Sequence, residues 1–108
     1  MFTANMQEME NIRSQVSALT NFQECLANSG TIMFGNATQQ PTQNQIQALG
    51  GPQVVAPIYQ DVSNNETLSQ VVRLGIQEVP SFYRNGSALQ GVQQPQQIAQ
   101  FTGCSLQN

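Results

Sequence analysis

The sequence predicts a single α/β domain built on a four-stranded mixed sheet flanked by helices. Three observations carry that prediction. Short apolar runs alternate with stretches of helical periodicity, the order that a βαβ unit with parallel strands requires. The pair Asn85-Gly86 stands between two strand-like runs, the strongest short-range signal of an antiparallel hairpin. A chain of 108 residues, 39% of them hydrophobic, is long enough for one core and too short for two.

Residues 5–28 read as a helix. Asn5 with Glu8 resembles an N-terminal cap. Met9, Ile12, Val16, Leu19, Phe22 and Leu26 recur on one face, and Gly30 supplies the stop. Residues 31–34 suit a first buried strand. The polar stretch 36–44 reads as a loop passing into a helix, with Pro41 in the first turn, where a missing N–H does no harm. That helix should reach about Leu49 and stop at Gly50-Gly51. Residues 54–59 are the second strand candidate, with Pro57 implying an edge or a bulge. A turn over 61–65 leads to a helix over 66–74, with Leu68, Val71, Val72 and Leu74 expected inward. Residues 79–84 and 87–91 flank the hairpin turn. Pro95 opens a last helix, with Ile98, Ala99 and Phe101 inward and Gly103 as its end.

Polarity without charge marks the composition. Only 8% of residues are charged, against roughly 25% in an ordinary domain. There are six acids and three Lys+Arg, no histidine, and a net charge of −3, while Gln and Asn supply 19 and 10 residues. A chain without a basic patch is not expected to bind nucleic acid through its phosphates. Without histidine, His-based acid–base catalysis and His-ligated metals are absent, and two cysteines make no four-ligand zinc site, so no metal or cofactor is expected. No apolar run approaches the roughly 20 residues that span a bilayer, so direct membrane insertion is not expected. The first residues lack a basic region followed by an apolar one, so no export signal is expected either.

The element order, with Val79-Pro80-Ser81-Phe82, Asn85-Gly86, Gly91 and a C-terminal helix, resembles a thioredoxin fold. Glu24-Cys25-Leu26, Met33-Phe34-Gly35, the run from Gly75 to Phe82, and Phe101-Thr102-Gly103-Cys104 narrow the resemblance. They are similar to the C-terminal thioredoxin-like domain of bacterial and plastid vitamin K epoxide reductase homologues. The resemblance covers about residues 22–104. It divides the chain into an N-terminal helical extension over 1–21 and a thioredoxin-like domain over 22–108. That family carries Trp-Cys-Pro-x-Cys after its first strand. Here the stretch reads Gln39-Gln40-Pro41-Thr42-Gln43, with Gln40 and Gln43 where the sulfurs would be. A second family pair falls near Asp61 and at Val71 or Val72. Thiol–disulfide exchange needs a thiolate and a resolving partner, and an amide is neither nucleophilic nor redox-active. The resemblance therefore implies a redox-dead site and no enzyme. Pro80 matches the family's cis-proline, beside which active members pair with extended substrate.

Cys25 and Cys104 are open to three readings: a structural disulfide tying the first helix to the last, a redox couple, or two separate buried thiols. Their spacing is far wider than Cys-x-x-Cys, which favours the first, and the resemblance implies the same pairing. Such a bond means exposure to an oxidising environment at some stage. Phe2, Met6 and Met9 belong to an apolar stripe that runs beyond the matched domain, so they are interface candidates for a partner or a second copy. Asn36, Asn65 and Asn85 begin glycosylation sequons by pattern, which without an export signal read as chance matches, and Asp61, Glu66 and Glu78 read as solvated surface. The expected function is a redox-inactive structural or adaptor subunit of a larger protein assembly. The expected setting is a virion, of a phage of a photosynthetic bacterium. A peripheral subunit of a photosynthetic membrane complex is the rival setting. The other classes are a thiol–disulfide oxidoreductase using Cys25 and Cys104, and a peptide-binding chaperone module using the groove by Pro80.

Overall fold

Alternation of apolar side chains along four short strands gives this sheet two faces, and the helices divide between them. The computed structural model describes residues 21–105. The extension expected over 1–21, with Phe2, Met6 and Met9, lies outside the described residues except for Asn21. In chain order the elements are α1 (21–28), β1 (Ile32–Gly35), α2 (Gln40–Ala48), α3 (Pro52–Val55) and β2 (Tyr59–Asp61). Then follow α4 (Asn65–Arg73), β3 (Ser81–Arg84), β4 (Ser87–Gln90) and α5 (Pro95–Thr102). The sheet order is β2-β1-β3-β4. β1 and β2 are parallel, while β3 pairs antiparallel with both β1 and β4. This is a thioredoxin-like α/β fold with a mixed four-stranded sheet.

Register sets the core. Met33 lies between Tyr59 and Phe82, and Phe82 lies opposite Leu89, so one row of side chains crosses all four strands on the same face. Phe22 and Leu26 of α1, Leu49 after α2, Val54 and Val55 of α3, and Ile98 of α5 close over that row. The opposite face carries Phe34, packed with Val71 and Ile76, with Ile32 and Tyr83 partly buried beside them. α4 is the helix that supplies this second cluster.

The hairpin forms where expected. Asn85 and Gly86 both take positive φ, 51° and 84°, which a two-residue type I′ connection requires. Pro41 lies in the first turn of α2 and Pro95 in that of α5, and Gly103 ends α5 at φ 76°. Three expectations need correction. Of residues 54–59, only Tyr59 belongs to a strand. Gly51, at φ 110°, and Pro52 start the short helix α3, which turns both Val54 and Val55 into the core, and β2 begins only at Tyr59. Asp61 belongs to β2 rather than to a turn. Asn64 caps α4, its Oδ1 accepting from the backbone N–H of Glu66 and Thr67 at 2.9 and 3.3 Å. The inward side of α4 is Thr67 and Val71, whereas Leu68 and Val72 are exposed. A single helix laid on a sheet buries a narrower stripe than periodicity alone anticipates.

Cys25 and Cys104 form a disulfide, with their Cα atoms 5.7 Å apart. Beside it, Arg84 reaches from β3 to both tied elements. Its Nε donates to the Ser29 carbonyl after α1 at 3.0 Å, and its Nη1 to the Phe101 carbonyl in the last turn of α5 at 3.4 Å. A cation at those carbonyls satisfies acceptors that a helix end leaves open.

Candidate functional site: the β1–α2 loop and its surroundings

β1 ends at Gly35, and everything around that end is crowded. Asp61 pairs with Gly35 from the parallel strand β2, and Ser81 pairs with Phe34 from β3. Pro80, one residue before Ser81, therefore stands beside the same strand end. The Val79-Pro80 bond is cis, and the Pro80 carbonyl accepts from the Gly91 N–H at 2.8 Å. A Cβ on Gly35 would come within 2.7 Å of Thr42 Cγ2 and 2.8 Å of Tyr59 Cε1. Glycine is needed here because a helix and a tyrosine ring close directly over the backbone.

Gln40, Pro41, Thr42 and Gln43 open α2, and they divide by direction. Thr42 is fully buried, and its Oγ1 accepts from the Asn36 N–H at 3.0 Å, holding the loop against the helix. Gln40, Pro41 and Gln43 are exposed. Both amides are engaged locally. Gln40 Nε2 donates to Asn44 Oδ1 at 2.7 Å, and Gln43 Nε2 donates to the Ala37 carbonyl at 2.9 Å. Gln40, Gln43, Asn44 and Gln47, with Ile46 and Pro52, line an open depression of about 330 Å3. An uncharged wall of this kind offers hydrogen bonds and no group that attacks, transfers a proton at neutral pH or carries electrons.

The acid beside the loop is structural in its contacts. Asp61 Oδ2 accepts from the Tyr59 hydroxyl at 2.5 Å and from the Ala37 N–H at 2.9 Å, and Oδ1 accepts from the Ser63 N–H at 2.9 Å. Burial opposes ionisation of Asp61. The hydrogen bonds from Tyr59, Ser63 and Ala37 outweigh it and lower the pKa from 3.8 to about 2. Burial, then the bond to Asp61 and its charge, push the Tyr59 phenol up. The Asp61 carboxylate's contribution to stability is complete above the unfolded value of 3.8 and is lost as pH falls through about 2. Urea midpoints measured from pH 5 down to pH 2 should therefore fall more steeply for the wild type than for Asp61→Asn. Parallel curves would show that this carboxylate does not lock the loop.

Three features escaped the reading of the sequence. Gln45 is fully buried, and its side-chain amide pairs with the backbone of Gln93 as a neighbouring strand would. Its Oε1 accepts from the Gln93 N–H at 2.5 Å and its Nε2 donates to the Gln93 carbonyl at 3.0 Å. Gln90 Oε1 likewise accepts from the backbone N–H groups of Gln77 and Glu78, at 2.7 and 3.3 Å. The third is the Tyr59–Asp61 pair. The position of Gln45 was detectable, because Thr42, Gln45 and Leu49 recur on one face of α2 at three- and four-residue spacing. Among the described residues, no group of three His, Cys, Asp or Glu side chains is placed to hold a metal ion, and no helix is long and apolar enough to cross a membrane. Compared with known protein families and with curated proteins, the chain matches none.

Proposed function

We propose that this chain is a redox-inactive thioredoxin-like subunit that serves a structural or adaptor role in a larger protein assembly. The single observation behind the reading is the start of α2, where Gln40 and Gln43 occupy exposed first-turn positions and spend their amides on Asn44 and Ala37. The resemblance to the thioredoxin-like domain of vitamin K epoxide reductase homologues gives that observation its sense, because reactive sulfurs belong there in the family. The Cys25–Cys104 pair supports a staple rather than a reagent. Cys104 is only 2% exposed, and no third cysteine is present to exchange with it. The setting we infer is a virion or another large assembly that meets an oxidising environment at some stage.

The test is a pair of turnover measurements. The wild-type chain should show no dithiol-dependent reduction of insulin. Gln40→Cys with Gln43→Cys places two thiols one helical turn apart at a helix N-terminus, where the backbone stabilises a thiolate. That double variant should gain turnover. Activity in the wild type that disappears in Cys25→Ser would overturn the proposal and establish an oxidoreductase.

A further inference from the structure

α4 stands over its face of the sheet with part of its apolar surface turned away. Leu68 is 46% and Val72 69% exposed, one helical turn apart. Val92 is the third large apolar side chain so exposed among the described residues. Val62, Ile76 and Val79 continue this surface as a groove of about 230 Å3, with Gln77 and Glu78 at its side. Apolar surface that gathers in one place, rather than scattering, marks an interaction site.

The occupant is indicated by the chain itself. Residues 1–20 precede the described fold. They carry Phe2, Met6, Met9, Ile12, Val16 and Leu19 at the three- and four-residue spacing of one helical face. They join the domain at α1, which packs through Phe22 and Leu26 into the cluster on the far side of the sheet from α4. The point where the segment joins the described fold thus lies on the face of the sheet opposite the groove. We propose that the 1–20 segment of one copy docks on the α4 groove of a second copy, apolar face to apolar face.

Charge fixes the direction. Laid antiparallel to α4, the segment sets Glu8 and Glu10 against Arg73 in the last turn, and Arg13 against Glu66 in the first. Of the two described arginines, Arg84 is engaged with the carbonyls of Ser29 and Phe101, which leaves Arg73 for this contact. Exposed pairs add little affinity, so they set orientation while Leu68 and Val72 anchor. Donor and acceptor are different surfaces, and the contact is therefore heterologous. Repeated from copy to copy, it closes a ring or propagates as an open chain. The inference deepens the assembly role proposed above and rests on it.

Two variants separate donor from acceptor. Val72→Glu spoils the groove and leaves the segment, whereas Met9→Glu does the reverse. Leu68→Lys serves as a second acceptor variant, and circular dichroism shows that each chain is folded. Sedimentation of the disulfide-intact 108-residue wild type should show oligomers that grow with concentration. Each variant alone should lose assembly, and an equimolar mixture of Val72→Glu with Met9→Glu should give a one-to-one dimer and nothing larger. Assembly that survives in both acceptor variants and fails in Met9→Glu would mean that the segments pair with each other. A monomeric wild type would mean that the groove takes its own segment or another protein. Either result, or a mixture that stays monomeric, overturns the proposal. Insulin turnover bears on the redox-inactive reading and sedimentation on this contact, so the two fail separately.

Discussion

Replacing both Cys25 and Cys104 with alanine should lower the thermal midpoint by about 10–20 °C. Chain entropy sets the scale. The bond closes a loop of 79 residues, and closure at that length is worth about 4.5 kcal/mol when no strain offsets it. Loss of a native disulfide from a small domain costs about 2–5 kcal/mol, and just above 100 residues each kcal/mol moves the midpoint by about 4 °C. The bond joins an element at the start of the fold to one at its end, so it constrains nearly the whole unfolded chain. Arg84 remains when the sulfurs are gone, and its two carbonyl bonds keep the same elements together weakly. The variant should therefore stay folded at low temperature. Scanning calorimetry of the wild type with and without reductant, beside the double variant, checks this. A shift under about 3 °C in both comparisons would show that Arg84 and packing hold the helices without the bond.

The second large effect is expected at Gln45. Gln45→Met keeps the volume nearly constant and removes both partners of the Gln93 backbone. A buried donor and acceptor left unpaired cost about 1–3 kcal/mol each, so the loss should reach about 2–4 kcal/mol after water reaches the half-buried Gln93. Gln45→Glu discriminates between mechanisms. A carboxylate accepts from the Gln93 N–H but repels its carbonyl, whereas a protonated acid can serve both. Its destabilisation should accordingly shrink as pH falls, while that of Gln45→Met stays level. Urea titrations at two pH values measure this directly. Equal pH dependence in the two variants would mean that shape, not the amide pair, holds α2 to the segment before α5.

Much of this architecture was legible because it depends on backbone chemistry that few residues can supply. Asn85-Gly86 named the hairpin, since both positions take positive φ. Pro41, Pro95 and Gly103 marked helix boundaries for equally local reasons. The strand expected over 54–59 fails before Tyr59 because a short apolar run around Val54 and Val55 fits a strand or a buried helical turn equally well. Gly51-Pro52 decided it, through a conformation that the periodicity of apolar residues does not register. Gln45 follows Thr42 and precedes Leu49 at the spacing of one helical face, a signal that the default assignment of glutamine to the surface overrode. The exposure of Leu68 and Val72 was hidden for a tertiary reason. Periodicity identifies the apolar face of α4, and only the packing determines how much of that face is covered. At the candidate site, the Gln40-to-Gln43 stretch was readable as a position. Its local hydrogen bonds and the Tyr59–Asp61 lock were not, because they depend on which strands lie side by side.

The covalent tie between Cys25 and Cys104 also determines how the domain bears load. Tension entering through the residues before Cys25 and leaving through those after Cys104 passes across two sulfur atoms. The strands lie inside the closed loop and carry none of it. Pulled by its two ends, the domain can therefore bear load without shearing its own sheet, for as long as that bond stays oxidised.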